Sequence, residues 1–137
     1  VEVATPESVE KAVAPEAVQG SASWLFSVDQ IAQVCYEANR ALCAVTGASM
    51  PPEWGKATCE AVESAVQGVT EVFNGATAES LHRSWMREMF NRGWVYGPNK
   101  DALKRTHPSL TAYAQLPAAE RAKDVLFLAI VEALKGI

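Results

Sequence analysis

The segment from Gly93 to Tyr113 concentrates the residue types that bind ligands or take part in catalysis. It opens with Gly-Trp-Val-Tyr-Gly-Pro, continues to Lys-Arg-Thr-His-Pro, and ends at a tyrosine. Aromatic rings stack on flat ligands, while lysine and arginine bind phosphates and carboxylates. The segment is therefore the first candidate for a binding surface.

Basic side chains surround this segment, although the whole chain carries a net charge of -4. Between His82 and Pro108 the acidic residues are Glu88 and Asp101. The candidate ligand-binding residues are Arg83, Arg87, Arg92, Trp94, Tyr96, Lys100, Lys104, Arg105, His107 and Tyr113. An anionic small molecule such as a nucleotide would suit them, with cations on its phosphate and an aromatic ring on its base. The alternative interpretation is a solvated basic face that balances the acidic N-terminal arm.

The two histidines lack the companions that catalysis or metal binding requires. The sequence shows no Ser-His-Asp or Cys-His pattern, no HExxH motif and no calcium-binding loop. Cys35, Cys43 and Cys59 have no CxxC spacing, so they predict neither a disulfide framework nor a zinc site. We expect no enzyme activity, no cofactor and no metal site. We expect His82 and His107 to donate ring hydrogen bonds that fix the segment.

Length and composition limit the classes of protein to which the chain can belong. A chain of 137 residues, of which 49% are hydrophobic, is sized for one domain. Its pI of about 5.2 argues against a protein that coats nucleic acid or an anionic membrane. The longest apolar run, from Val125 to Val131, falls far short of the roughly 20 residues of a membrane span. We expect a cytoplasmic protein, or a virion component if the chain serves in assembly.

Residues 1–27 differ from the rest of the chain in composition. They are rich in alanine, valine, glutamate and proline, with too little apolar bulk to offset the entropy of ordering. We expect an extended arm that lies against a partner or a neighbouring copy. Trp24, Leu25 and Phe26 would anchor it.

Residues 28–137 predict a four-helix domain, and its first half contains two helices. The first helix starts after a capping box formed by Ser27 and Gln30, and Gly47 ends it. Apolar residues recur along it at a helical period. Pro51 predicts the start of the second helix, and Asn74 followed by glycine predicts its end.

The second half of the domain predicts two more helices around the aromatic segment. The third extends from a Thr77 cap to about Arg92, and the fourth opens at Leu116. Because apolar residues cover nearly the whole circumference of the fourth helix, we expect it to be the most buried. A very short strand pair near Trp94 is the most β structure that the pattern allows. On the fourth helix, Asp124 is expected to pair with a basic residue of the loop, Lys104 or Arg105.

An ordered series of residues runs from the third helix into the fourth. It reads His82-x-x-Trp85, Gly93-Trp94-x-Tyr96-Gly97, Asp101, Lys104-x-x-His107-Pro108-x-Leu110, Tyr113, Leu116 and Glu120-Arg121-x-Lys123-Asp124. This series resembles the RyR domain, which occurs in pairs in ryanodine-receptor channels and as standalone copies in bacteria and phages. The resemblance is strongest over residues 82–124 and extends from about residue 31 to the C terminus. Pro98-Asn99 and Ala112 depart from the pattern of the family.

The resemblance implies a mainly α, compact four-helix domain with an irregular aromatic loop, here of the standalone bacterial or phage type. It also implies a binding or interaction role without enzymatic activity. Two functions remain open. One is a binding module whose aromatic and basic loop contacts an anionic small molecule or a protein partner. The other is a structural component of a phage particle or bacterial complex, attached to its neighbours through residues 1–27.

Overall fold

The computed structural model describes residues 25–137. Its four α-helices are α1 (Val28–Thr46), α2 (Cys59–Phe73), α3 (Ala78–Asn91) and α4 (Ala118–Leu134). The other elements are a 3₁₀ turn (Trp54–Lys56), strands β1 (Val95–Tyr96) and β2 (Thr106–His107), and a second 3₁₀ turn (Tyr113–Gln115). The predicted mainly α, four-helix fold is confirmed. Within residues 25–137, no helix is both long enough and apolar enough to span a membrane.

The start and end of α1 follow its sequence signals. Ser27 Oγ accepts a hydrogen bond from the Gln30 N–H at 3.1 Å, and Gln30 Oε1 accepts one from the Ser27 N–H at 2.9 Å. Gly47 ends the helix with a left-handed φ of 78°. The inner face of α1 buries Ile31, Ala32, Cys35 and Cys43. The predicted capping box is confirmed. Of the apolar residues that recur along α1, Ile31 and Cys35 are buried, whereas Val34 and Val45 are 45% and 85% exposed.

The expected start of α2 at Pro51 is wrong. The helix begins only after Thr58, whose hydroxyl caps it. The segment before it is held by α1 instead: Arg40 Nε donates to the Pro51 carbonyl at 3.0 Å, and Glu37 Oε2 accepts from the Trp54 N–H at 2.8 Å. These bonds take backbone groups that a helix would have used, so residues 51–57 stay irregular apart from one 3₁₀ turn.

Both ends of α3 match the prediction. Thr77 Oγ1 accepts from the Ser80 N–H at 3.1 Å, and Ser80 Oγ accepts from the Thr77 N–H at 2.8 Å, which makes a reciprocal cap. Gly93, with a φ of 86°, lets the chain turn away after the last helical residues. This turn places the aromatic loop directly beside the end of α3.

The core lies where α1, α2, α3 and α4 meet. Its buried residues are Ile31, Ala32, Cys35, Val69, Val72, Leu81 and Val131. The expectation that α4 is the most buried helix is wrong, because Val131 is its one fully buried residue and Val125 is 52% exposed. α4 packs against the other three helices along part of its circumference, so some of its apolar side chains stay at the surface of the described domain.

The loop between α3 and α4 is organised by its two short strands. β1 and β2 are parallel, with Val95 opposite Thr106 and Tyr96 opposite His107. A Cβ atom on Gly97 would lie 2.6 Å from Thr106 Cβ, so this close approach requires glycine. This strand pair is no longer than the sequence pattern allows, and it brings the start of the loop against the segment that carries the second histidine.

Most of the predicted arm lies outside the described residues, and so does Trp24, one of its three predicted anchors. Of the other two, Phe26 packs against the core, whereas Leu25 is 70% exposed. The Leu25 N–H donates to the Ile137 carbonyl at 2.8 Å, so the described chain begins beside its own C terminus. That residues 1–27 bind neighbouring subunits stays a prediction.

Candidate binding site

A cleft of about 600 Å³ opens between the helices and the aromatic loop. From α3, the loop and α4 its lining includes Trp85, Arg92, Trp94, Lys100, His107 and Asp124. From α1 and α2 it includes Tyr36, Asn39 and Ser64. The cleft therefore collects aromatic, cationic and hydrogen-bonding groups from elements that are far apart in sequence.

A series of aromatic rings connects the core to the cleft. His82 stacks on Trp85 with ring centroids 5.5 Å apart, and Tyr113 lies 6.0 Å from the same histidine. Trp85 and His107 make a T-shaped contact with ring centroids 5.1 Å apart, and the ring centroid of Trp94 lies 6.4 Å from that of His107. These contacts fix the loop against α3 and place the rings of Trp85, His107 and Trp94 along the cleft.

His82 is the buried polar residue that fastens the loop. It is 4% exposed, and its Nε2 lies 2.8 Å from the Thr111 carbonyl oxygen. A carbonyl can only accept, so Nε2 donates, as the sequence predicted. His82 Nδ1 lies 3.9 Å from Asp124 Oδ2. The expected pairing of Asp124 with Lys104 or Arg105 is therefore wrong, because the Arg105 guanidinium bonds a backbone carbonyl at the end of α3.

His107 holds the loop in a different way from the prediction. Its Nδ1 accepts from the Ser109 N–H at 3.0 Å, so the expected donation is wrong at this nitrogen. Burial lowers the pKa of the His107 ring, and the positive charge of Lys100 lowers it further. The neutral ring then carries its proton on Nε2. Ser109 Oγ donates to Glu120 Oε1 at 3.2 Å, so the serine hydroxyl serves the fold of the loop.

The charged residues that line the cleft are the acids Glu60, Glu88, Glu120 and Asp124 and the cations Arg92, Lys100 and Lys123. Glu120 and Lys123 pair with each other at 3.2 Å on α4. Arg92 and Lys100 form no ion pair with any residue in the described part of the chain. An unpaired cation beside aromatic rings favours an anionic group with a flat neighbour. The loop side of the cleft can therefore hold such a ligand.

The family model of the RyR domain matches residues 59–137, more than half of the chain. The chain belongs to the RyR domain family. The match covers α2, α3, the aromatic loop and α4, whereas α1 lies outside it. No solved structure matches the chain. The family indicates a binding or interaction module at most, and the standalone bacterial or phage type stays a prediction.

The ten predicted ligand-binding residues of this RyR domain occupy three places. Those that line the cleft are Arg92, Trp94, Lys100 and His107. Those that are exposed elsewhere on α3 or the loop are Arg83, Arg87, Tyr96, Lys104 and Arg105. Tyr113 is partly buried beside His82. The structure therefore brings four of the ten into one cleft.

Several cleft residues were absent from the predicted set. Glu120, Lys123 and Asp124 reach the cleft from α4, and their spacing of three and four residues marks one helical face. Glu88 comes from α3, with Oε1 accepting from a serine hydroxyl on α2 at 3.1 Å. Asn39 reaches the cleft from α1, and no motif singles it out. Residues 25–137 contain no cluster of three or more histidine, cysteine or acidic residues placed to hold a metal ion.

The Asp124 carboxyl makes the stability of the RyR domain decrease as the pH rises. Burial raises the pKa of its carboxyl from 3.8 to about 6, with His82 acting in the opposite direction. The folded protein therefore binds this proton more tightly than the unfolded chain does. This contribution to stability is fully present below about pH 4 and is lost as the pH rises to about 6.

Asp124→Asn removes that titration, so the variant should gain stability relative to wild type between about pH 4.5 and about pH 7. Urea unfolding of both proteins at the two pH values measures the difference. Because the pKa of His107 is lowered, its contribution to stability is lost as the pH falls below 6.5. This loss is the same in wild type and variant, so it does not affect the difference between them. Asp29→Asn is the control, because Asp29 is exposed. A wild-type-to-variant difference that is the same at both pH values contradicts the prediction.

Proposed function

We propose that this RyR domain is a non-enzymatic binding module whose cleft takes a small molecule with a planar ring and an anionic group, such as a nucleotide. One observation carries the proposal: Arg92, Trp94, Lys100 and His107 converge on one cleft of about 600 Å³. That volume lies within the range of small-molecule sites. Rings that stack and cations without ion pairs are the groups such a ligand needs.

The charge distribution favours Lys100 as the residue that binds the anionic group of the ligand. The charge of Lys100 acts on the ring of His107, so the cation and the ring are neighbours. Arg92 lines the same cleft. A phosphate beside Lys100 would leave the base of a nucleotide within reach of Trp94. Glu120 does not oppose this arrangement strongly, because Lys123 and a serine hydroxyl already bind its carboxylate.

The polar network supports binding rather than catalysis. His82 Nδ1 lies near Asp124, as in the histidine–aspartate pair of a catalytic triad. The other ring nitrogen, Nε2, bonds the Thr111 carbonyl and not a hydroxyl or thiol. The hydroxyl of Ser109 donates to Glu120 and not to a histidine. Neither serine nor histidine chemistry is therefore set up at these positions.

A thermal-shift panel of nucleotides, other organic phosphates and inorganic phosphate tests the proposal. A ligand at a hundredfold excess over its Kd should stabilise the protein by about 2.7 kcal/mol. Lys100→Ala should weaken binding by about tenfold or more, because a hydrogen bond to a charged group is removed. Lys104→Ala is the matched control, since this lysine is exposed on the same loop and does not line the cleft. No stabilisation by any compound at millimolar concentration would exclude this function.

A second function, docking of a protein partner, is favoured by exposed apolar side chains in the loop. Val95, Tyr96 and Leu103 are 54%, 59% and 97% exposed. The exposed cations Lys104 and Arg105 directly follow Leu103 in the chain, so this part of the loop suits an acidic partner.

A photo-crosslinking residue at position 103 tests this second function in extract of the source cells. It should give one discrete adduct, whereas the same residue at Val45, which is 85% exposed on α1, should give none. Equal adduct patterns from the two positions would rule out a dedicated docking face.

A further inference from the structure

One ring nitrogen of His107 is engaged within the loop, and the other is free. Nδ1 accepts from the Ser109 N–H at 3.0 Å, whereas no hydrogen bond within residues 25–137 uses Nε2. The one buried side-chain nitrogen or oxygen without a partner in that part of the chain is Asn39 Oδ1, so solvent reaches His107 Nε2. Because His107 lines the cleft, this nitrogen is available to a ligand there.

The loop fixes the proton of the His107 ring on Nε2. A backbone N–H can only donate, so the nitrogen that accepts from Ser109 carries no proton, and the proton of the neutral ring is on Nε2. Burial of the ring, followed by the charge of Lys100, lowers the pKa of His107. The ring is therefore neutral at about pH 7.5, and Nε2 is a hydrogen-bond donor.

Two indole rings lie beside this donor. Trp85 makes a T-shaped contact with His107 at a centroid separation of 5.1 Å, and the Trp94 centroid lies 6.4 Å from that of His107. Both indoles line the cleft. A planar group of a ligand can pack against either of them while another part of the same molecule meets His107.

The charges that act on His107 favour an anion at Nε2. Lys100 has the largest effect on the ring, ahead of Glu120, Lys123 and His82. Glu120 is occupied, because its carboxylate binds Lys123 and the Ser109 hydroxyl. Lys100 forms no ion pair with any described residue. A fixed donor with an unpaired cation nearby suits an oxygen that carries negative charge.

We propose that His107 binds the anionic group of the ligand by donating from Nε2 to one of its oxygens, with Lys100 as the neighbouring cation, and that the Ser109 N–H fixes the tautomer that this bond requires. The inference rests on the proposed function of the cleft. It narrows the ligand class to oxyanions, such as phosphate esters, that also carry a planar group. A ligand group that can only donate is rejected at this position, because it would face the Nε2 proton.

A long-range ¹H–¹⁵N NMR spectrum of the histidine rings tests the inference directly, since the chain has two histidines. Without ligand at about pH 7.5, the spectrum should show the His107 proton on Nε2. Inorganic phosphate and a nucleoside monophosphate should each shift the His107 Nε2 signal in a saturable manner, whereas the nucleoside without phosphate should not. His82 is the internal control, because it is 4% exposed and its Nε2 already bonds the Thr111 carbonyl. Its signal should move less.

His107→Asn removes the donor and keeps the turn. An asparagine side chain can accept from the backbone N–H two residues on, here that of Ser109, but it has no group at the position of Nε2. This variant should bind nucleoside monophosphate about tenfold or more weakly, the effect of losing a hydrogen bond to a charged group. Calorimetry at a temperature where both proteins are folded measures the affinity. Lys104→Ala is the matched control, since this lysine is exposed on the same loop outside the cleft.

The outcomes separate this inference from the function on which it rests. If nucleotide shifts the indole signals of Trp85 and Trp94 but leaves the His107 Nε2 signal unchanged, the role of His107 is overturned and the cleft function stands. The same holds if His107→Asn binds nucleotide as tightly as wild type, or if the unliganded ring carries its proton on Nδ1. A nucleoside that shifts Nε2 as much as the nucleotide does would place the base at His107, and would also overturn the inference. No binding of any compound to the wild-type protein overturns both.

Discussion

Replacing Ile31 with alanine is expected to destabilise the domain by about 2–5 kcal/mol. Ile31 is fully buried at the centre of the core, where α1 meets α2 and α4. Truncation removes apolar burial and leaves a cavity that the surrounding helices fill only in part. For a domain of this size, each kcal/mol lowers Tm by roughly 4 °C. Urea and thermal unfolding measure the change.

This result would show that α1 is part of the folded RyR domain, although the family match starts at residue 59. Val45→Ala on the same helix is the control, because Val45 is 85% exposed. The control should change stability by no more than about 0.5 kcal/mol. If Ile31→Ala is as mild as Val45→Ala, α1 does not pack into the core as described.

Replacing His82 with alanine is expected to destabilise the domain by about 3 kcal/mol, the combined effect of a cavity and an unmade buried hydrogen bond. The ring of His82 lies between Trp85 and Tyr113, and its Nε2 donates to the Thr111 carbonyl. Without the ring, the carbonyl and the Asp124 carboxyl both lose their neighbour. Denaturant unfolding measures the loss.

His82→Gln tests which part of this effect comes from the hydrogen bond. The glutamine amide can donate to the Thr111 carbonyl, so this variant should recover part of the lost stability. The indole signals of Trp85 and Trp94 should also stay closer to wild type than in the alanine variant. Equal destabilisation by alanine and glutamine would assign the effect to ring packing alone.

The parts of the fold that local signals determine were predictable from sequence. The capping box at Ser27, the cap at Thr77 and Gly47 correctly predicted where α1 begins and ends and where α3 begins. Each signal acts through hydrogen bonds or backbone angles within a few residues. The ordered series from His82 to Asp124 likewise predicted the family.

The errors come from contacts between distant residues. The start of α2 depends on hydrogen bonds that α1 makes to residues 51–54. Neither the sequence of α1 nor that of residues 51–54 indicates that the two segments are bonded to each other. Asp124 meets His82 rather than the loop cations because of the way α4 packs on α3. Apolar residues around nearly the whole of α4 predicted more burial than the helix has, because the other helices cover only part of its surface.

The same dependence on contacts between distant residues explains which residues of the cleft were predicted and which were not. Composition identified the cations and rings of the loop, and Arg92, Trp94, Lys100 and His107 do meet in one cleft. Composition does not tell which cations face a cleft and which face solvent, so Arg83 and Arg87 were included. Asn39 lines the cleft from α1 and has no sequence signal, because its place there depends on how α1 packs in the folded protein.

The central claim, that the cleft of this RyR domain binds a ring-bearing anion, is tested most directly by the indole N–H signals in a ¹H–¹⁵N NMR titration. The chain has four tryptophans, and in the described residues Trp85 and Trp94 line the cleft whereas Trp54 does not. Titration with nucleoside monophosphates should shift the Trp85 and Trp94 signals in a saturable manner and to a greater extent than that of Trp54. Unchanged Trp85 and Trp94 signals at saturating nucleotide would contradict the claim.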